Sequence, residues 1–278
     1  MMFITRFAPS PTGPLHLGHA YSAMLAHDMA RAARGRFLVR IDDLDQSRAR
    51  PEWEAQCLED LAWLGLDWPR PVLHQSSRLP RYRDALAQLW QMGLLYACTC
   101  TRSDIRAAVS APQEGAALHG ADGLVYPGTC RPATPPTGAL PGDAALRLDM
   151  ARALAGLDGP LTFLEKGCPI TANPLAASLG DVVIASRAMG ASYHLSVILD
   201  DADQNVSDVI RGEDLLEATP IHALLQRLLH LPTPRYHHHR LIRDTEGKRL
   251  AKRDDARAIA TYRADGASPI DIRRMVGL

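Results

Sequence analysis

Between an apolar run at residues 2–8 and a helical stretch at 16–34 lies Pro9-Ser10-Pro11-Thr12-Gly13-Pro14, three prolines and a glycine that end one element before the next begins. A second apolar run, Phe37-Leu-Val-Arg-Ile41, follows and closes on Asp42, Asp43 and Asp45. Helical periodicity returns around 52–64 and 81–92. This β-α-β-α order calls for a parallel sheet, because parallel strands need a crossover and a helix supplies it. The expected fold class is α/β.

Beyond Cys98 the character changes. Pro and Gly accumulate up to Pro141, which reads as an insertion with little regular structure. Residues 144–150, 182–185, 197–199 and 206–210 read as core strands. Residues 220–231 read as a helix with Pro220 in its first turn. The last forty residues are arginine-rich and helical in parts.

The chain has 278 residues, enough for one large domain or two modest ones. Its 31 basic and 31 acidic side chains cancel, so the whole-chain balance points to neither a nucleic acid nor a membrane. Only a local basic face would grip RNA, with Arg235, Arg240, Arg243, Arg273 and Arg274 as its candidates. No run approaches the ~20 apolar residues that span a bilayer. The N-terminus lacks the shape of a secretory signal. A cytoplasmic location with no membrane partner is expected, and thiols rather than disulfides. Cys57 and Cys168 read as core residues.

His16-Leu17-Gly18-His19 opens the first helix just after the Pro/Gly turn. A helix N-terminus offers free N–H groups and a positive dipole end to an anion. Histidines three apart share a helix face, where both can donate to one phosphate. Gly18 permits close approach of a flat ring to the backbone. Lys166, Lys248 and Lys252 are the three lysines of the chain, and two of them fall in Lys248-Arg249-Leu250-Ala251-Lys252-Arg253. A mobile basic loop of this kind clamps the negative charge of a triphosphate under attack. Cys98-Thr-Cys100 with Cys130 supplies three thiolates, and a closed zinc site needs a fourth ligand. His119, Asp122 and Tyr126 are available, and ligand chemistry alone favours His119.

The two basic motifs together resemble the HIGH and KMSKS signatures of class I aminoacyl-tRNA synthetases. Arg6-Phe-Ala-Pro-Ser-Pro-Thr-Gly-Pro-Leu-His-Leu-Gly-His19 resembles the opening of glutamyl-tRNA synthetases. So do Arg40-Ile-Asp-Asp-Leu-Asp45, Tyr193-His-Leu and Val209-Ile-Arg-Gly-Glu-Asp-Leu215, in the same order. The resemblance implies a Rossmann-like parallel-sheet catalytic domain with an inserted zinc-bearing, acceptor-type subdomain and a short helical C-terminal part. The expected boundaries are 1–97 and 191–235 for the two Rossmann-like halves, 98–190 for the insertion, and 236–278 for the KMSKS-like loop and helical end. It further implies ATP-dependent activation of L-glutamate, assisted by Mg²⁺, with glutamyl-adenylate as product and no covalent enzyme intermediate. Such catalysis is mostly positioning and charge stabilisation.

Carried over residue by residue, His16, His19 and Lys252 are catalytic. Gly18 and Arg249 join them around ATP. Arg6 faces the substrate's side-chain carboxylate, in the run Phe7, Ala8, Pro9 and Ser10. Tyr193 and Arg211 complete the glutamate site. Asp42 stands where the family places a glutamate that holds the α-ammonium, one methylene shorter. Ala251 replaces the family's serine, so the loop keeps its charge and loses a hydroxyl. Short members of the family are similar in having C-x-C…Y-x₃-C, which makes Cys98, Cys100, Tyr126 and Cys130 the implied zinc ligands.

The chain ends 25 residues after Arg253, where glutamyl-tRNA synthetases continue into a helical anticodon-binding region. This layout resembles the truncated glutamyl-Q tRNA(Asp) synthetases, which activate glutamate without tRNA. They esterify it to queuosine at the wobble position, gripping the anticodon stem-loop of tRNA(Asp). A monomer is expected. The alternatives are a short glutamyl-tRNA synthetase charging a tRNA 3′ end, and a non-catalytic tRNA-binding paralogue.

Overall fold

β1 (Ile4–Phe7) runs into α1 (Leu17–Ala32), which returns to β2 (Arg36–Ile41), and β1 and β2 pair in parallel with Arg6 opposite Leu38. α2 (Pro51–Trp63) crosses to the two-residue β3 (Leu73–His74), parallel to β2. The computed structural model describes residues 2–110, 119–120, 123–172, 179–243 and 257–278. α1 and α2 bury their apolar faces on these strands, through Ala20, Ala23, Met24, Ala30 and Leu61 against Phe7, Phe37, Val39 and Ile41. Small side chains on α1 allow the helix to lie close to the sheet.

A 3-10 turn (Gln75–Arg78) and α3 (Leu79–Gln91) lead into β4 (Leu95–Cys98), then α4 (Arg102–Ser110) and the short strands β5 (His119–Gly120) and β6 (Gly123–Leu124). β7 (Ala145–Leu148), α5 (Met150–Ala155), β8 (Leu161–Glu165), β9 (Cys168–Ala172) and β10 (Val183–Ala185) follow. α6 (Tyr193–Asp203), β11 (Asp208–Gly212), a second 3-10 turn (Glu213–Ala218), α7 (Thr219–Leu228) and β12 (Arg235–His239) come next. α8 (Ile259–Ala264) and α9 (Pro269–Val276) end the chain, and α9 packs on α1.

β11 lies beside β1, joined by Ser207, whose N–H donates to the Ile4 carbonyl at 2.9 Å. β12 is parallel to β11, and β8 is parallel to β12. The strand order β3-β2-β1-β11-β12 is that of a doubly wound sheet, which reverses direction between β1 and β11. The ends of those two strands are where such a sheet opens a crevice.

Two readings differ from expectation. Residues 197–199 are helical, in the middle of α6, rather than a strand. Leu195, Val197, Ile198 and Leu199 are all buried, and a short run that is apolar on every side carries no period to separate helix from strand. Cys168 is exposed, because it starts the edge strand β9. Strand pairing also joins the neighbouring expected segments to one another. β8 and β9 extend the sheet of β12, while β4 forms an antiparallel sheet with β7 and β10.

Candidate active site

The crevice between β1 and β11 holds a cavity of about 160 Å³ lined by Arg6, Phe7, Ala8, Ser22, Asp42, Tyr193, Val197, Ile210, Arg211, Gly212 and Leu215. Its polar groups arrive from five elements: Arg6 from β1, Ser22 from α1, Asp42 from the residue after β2, Tyr193 from the first turn of α6, and Arg211 from β11. Of the residues expected from sequence, Pro9 sits just outside and accepts a backbone hydrogen bond from Asp42 at 3.0 Å. Ser10 is exposed and does not line the cavity; its carbonyl closes a turn with Thr12. Ser22, Val197 and Leu215 line the cavity without any signal in the sequence.

Arg6 is 5% exposed and donates through Nε to Asp201 Oδ1 at 2.8 Å. Arg40, wholly buried, donates to the same oxygen at 2.6 Å and to Asp42 Oδ1 at 2.9 Å. Burial alone would raise the Asp201 carboxyl, but Arg6 and Arg40 outweigh it and hold the group below the usual carboxylate range. Asp42 has a weaker position. Burial pushes its carboxyl up to about 6, against the pull of Arg40 and Arg6. Arg40 divides its charge among Asp42, Asp201 and Asp200, whereas Asp201 receives two guanidiniums. Asp42 is thus the under-compensated anion of the cavity, ready for a cation. Asp201 was not foreseen; the run Leu199-Asp-Asp-Ala-Asp203 at the end of a buried helix was its only trace.

Arg211 is also 5% exposed, and among the described residues no carboxylate lies within ion-pair distance of it. Its Nε donates to His238 Nε2 and its Nη1 to His222 Nδ1, both at 3.0 Å. Nη2 donates to Thr219 Oγ1 at 2.8 Å and to the Leu215 carbonyl at 3.2 Å. A buried cation among neutral acceptors favours an incoming anion.

At the N-terminus of α1, His16 caps the helix by accepting from Gly18 N–H through Nδ1 at 3.1 Å, and His19 Nδ1 accepts from His16 N–H at 3.2 Å. With Nδ1 accepting in both rings, the neutral imidazoles carry their protons on Nε2, and the two rings lie 3.8 Å apart. A pair of adjacent N–H donors at a helix N-terminus is what an anionic oxygen needs. The ring that approaches Gly18 is that of His16: a Cβ on Gly18 would meet it at 3.0 Å. Arg249 and Lys252 lie outside the described residues. The chain that follows them returns to this site, since Ala258 bridges to His16 and Ile259 N–H donates to the Leu15 carbonyl at 2.8 Å.

Cys98, Cys100 and Cys130 bring their sulfurs within 4.8 Å of one another, and the Tyr126 hydroxyl stands 3.5 Å from Cys98 Sγ and 3.4 Å from Cys100 Sγ. Zn–S bonds of about 2.3 Å in a tetrahedron place sulfurs roughly 3.8 Å apart, so this donor set fits one zinc ion. Cys100 and Cys130, 3.4 Å apart, are too distant for a disulfide. Arg147 lies over the Tyr126 ring at 3.8 Å and fixes its orientation. His119 contributes its backbone to β5, and Asp122 lies outside the described residues.

Of the arginines considered for RNA, Arg235 is paired with Asp208 and Arg273 with Asp28. Arg240 bonds the Val276 carbonyl and covers the Tyr21 ring. Arg240 and Arg273 hold the C-terminal helix in place, Arg235 ties β12 to β11, and Arg243 and Arg274 are exposed.

The model of the family "tRNA synthetases class I (E and Q), catalytic domain" matches residues 2–119 and 169–278. A glutamyl-Q tRNA(Asp) synthetase of Rhodobacter capsulatus is 63% identical over 99% of this chain and 100% of its own length. A second protein of that name, from Symbiobacterium thermophilum, is 42% identical over 96% of this chain and 83% of its own. A solved glutamate tRNA ligase of Elizabethkingia meningosepticum, crystallised with its amino acid, superposes with a TM-score of 0.77 at 27% identity. It is covered over all of this chain, which spans 61% of that longer protein. A methionyl-tRNA synthetase of Mycobacterium tuberculosis shares the fold at 13% identity and a TM-score of 0.55. With its doubly wound sheet, its histidine pair on α1 and a family match over most of its length, the chain belongs to the class I tRNA synthetases for glutamate and glutamine, a family of ligases.

Proposed function

We propose that the chain uses ATP and Mg²⁺ to convert L-glutamate into glutamyl-adenylate without tRNA. It then transfers the glutamate to queuosine at the wobble position of tRNA(Asp), whose anticodon stem-loop it grips. The observation that carries the first half is the pair of buried arginines, Arg6 and Arg211, in one small cavity with Asp42 across from them. A dicarboxylic amino acid matches that arrangement: two cations for its side-chain carboxylate, one anion for its ammonium. In this reading His16 and His19 donate from Nε2 to ATP, with Gly18 beside them, and Arg249 and Lys252 meet the triphosphate. Phe7, Ala8, Pro9 and Ser10 frame the glutamate, and Tyr193 donates to its carboxylate. The second half is supported by the names of the relatives from Rhodobacter capsulatus and Symbiobacterium thermophilum.

Zinc belongs to the proposal as a structural ion on Cys98, Cys100, Tyr126 and Cys130. Residues 98–190 act as the acceptor-type insertion between the halves at 1–97 and 191–235, with 236–278 as the loop and helical end. Among the described residues no helix is long and apolar enough to cross a membrane. The proposed working form is a cytoplasmic monomer.

ATP–pyrophosphate exchange without tRNA tests the first half: glutamate should support it and glutamine should not. Labelled glutamate offered to tRNA(Asp) from cells able or unable to make queuosine tests the second. Transfer only to the queuosine-bearing RNA supports the proposal. Transfer to both, or to tRNA(Glu), would establish the second reading, a short glutamyl-tRNA synthetase, which the likeness to the Elizabethkingia ligase favours.

A further inference from the structure

We propose that His238 and His222 are positioning residues that hold Arg211 by neutral acceptors, and that Glu165 sets His238 in the accepting tautomer. The charge of Arg211 is thereby left for the substrate's side-chain carboxylate, which selects the acid over its amide. The inference rests on the glutamate-activating reading given above.

The geometry starts from donor counting. A guanidinium has five N–H groups and no acceptor. Four of those on Arg211 are taken, by His238 Nε2, His222 Nδ1, Thr219 Oγ1 and the Leu215 carbonyl. Among the described residues one N–H on Nη1 is left over, in a residue that lines the cavity. Every one of the four acceptors is neutral. Arg6 differs: its Nε is taken by the charged Asp201, and its two terminal nitrogens have no acceptor among the described residues. Arg6 can thus form a bidentate contact, whereas Arg211 offers one hydrogen bond and an uncancelled charge.

For the frame to work, both imidazoles must accept from Arg211. His238 does so only with its proton on Nδ1, and Glu165 enforces this. Glu165 Oε2 lies 2.6 Å from His238 Nδ1, and Oε1 accepts from the His238 N–H at 3.0 Å. The same carboxylate thus fixes the ring and its backbone. His222 must carry its proton on Nε2, where His194 Nδ1 accepts at 3.0 Å. Tyr236 completes the frame, stacked on His238 at 6.0 Å and lying under Arg211 at 4.9 Å. Burial first, and then the Arg211 cation, hold His222 far below the usual histidine range, so it stays neutral. His238 is lowered by the same two causes, against the pull of Glu165.

A neutral frame has a chemical consequence. A carboxylate in place of His238 or His222 would pair with Arg211 and make the cavity indifferent to charge. A protonated ring would expel it. Glu165 lies one imidazole away, pairs with His238 rather than with Arg211, and so leaves the contact face of the cation unpaired among the described residues.

The test is tRNA-free ATP–pyrophosphate exchange with glutamate and with glutamine, on variants chosen by atom. His238→Ala and His222→Leu each remove an acceptor. They should raise KM for glutamate about 10- to 100-fold, the worth of a hydrogen bond to a charged group, with KM for ATP within about twofold of wild type. His238→Gln places an amide oxygen at the Nε2 position and His222→Asn one at the Nδ1 position, and these should recover most of that loss. Glu165→Gln should narrow the preference for glutamate over glutamine. Equal losses in the Ala and Gln variants, or a parallel rise in both KM values, would overturn the inference while leaving the substrate reading intact. A wild-type chain with no glutamate-dependent exchange would remove both. Thermal unfolding of each variant separates a misfolded chain from one with a displaced Arg211.

Discussion

Arg6 and Asp201, 195 positions apart in sequence, meet at 2.8 Å through Nε and Oδ1, and that one oxygen also carries Arg40. The pairing ties β1 and β2 to α6, the helix whose first residue, Tyr193, reaches the cavity. Asp201 therefore does two things at once. It neutralises buried charge, and it turns Arg6 so that its terminal nitrogens remain available.

Replacing Asp201 by Asn keeps the shape and removes the charge. Two buried guanidiniums then share an anion too few. Breaking a buried pair from one side costs about 3–5 kcal/mol, and Asp201→Asn should lose stability on that scale in urea unfolding. Glutamate-dependent exchange should fall with it, because Arg6 is no longer held. A loss below about 1 kcal/mol, the worth of an exposed pair, would show that the arginines have other partners.

Asp42 sets a pH dependence. Its carboxyl is pushed up to about 6 by burial, so it is half protonated near that pH in the free protein. Only the ionised form attracts an ammonium group. KM for glutamate in the exchange reaction should therefore rise as pH falls through about 6, and Asp42→Asn should flatten this limb of the profile. The sign for stability is opposite. The unfolded chain releases this proton near the ordinary value of 3.8, the folded chain near 6, so the group favours folding below 3.8 and that contribution is lost as pH rises to 6. An unchanged profile in Asp42→Asn would assign the titration elsewhere.

How much of this was legible in the sequence depends on distance along the chain. β1, the turn after it and the histidine pair that opens α1 lie within sixteen residues, and local chemistry announces them. The three cysteines are legible as a thiolate set, whereas Tyr126 enters only through the family resemblance, since ligand chemistry alone favours His119. Asp201 was hidden because nothing local distinguishes a carboxylate that will meet two arginines from one that faces water. Glu165 and His238 were hidden for the same reason: the contact needs β8 and β12 to pair across 73 residues. Residues 197–199 of α6 look like a strand because three consecutive apolar side chains carry no period, and β12 is hard to read because His237, His238 and His239 are atypical for a strand.

The cysteine cluster predicts about one zinc per chain by elemental analysis, as one closed site requires. Cys130→Ser should lose the metal and lower Tm, by roughly 2–4 °C for each kcal/mol of binding energy withdrawn from folding. Adenylate formation should change far less, since the arginines and Asp42 of the cavity and the histidine pair of α1 sit on other elements. A protein purified without zinc that unfolds at the same temperature with and without added metal would refute the site.

Gly18 offers the sharpest separation of chemistry from stability. Alanine is the better helix former by about 1 kcal/mol, and Gly18 lies in the first turn of α1. Stability alone would therefore favour Gly18→Ala. A Cβ there would meet His16 Cε1 at 3.0 Å and Nδ1 at 3.1 Å, contacts tight enough that the ring must move. The cap bond from Gly18 N–H to His16 Nδ1 would lengthen, and the Nε2 donor would turn away from its place beside His19. Gly18→Ala should thus leave Tm within a few degrees of wild type while lowering exchange about tenfold or more, the effect of a misplaced charge-stabilising donor. The loss should fall on kcat and on KM for ATP, with KM for glutamate little changed. A variant with full exchange activity would mean that the orientation of His16 is not part of the chemistry.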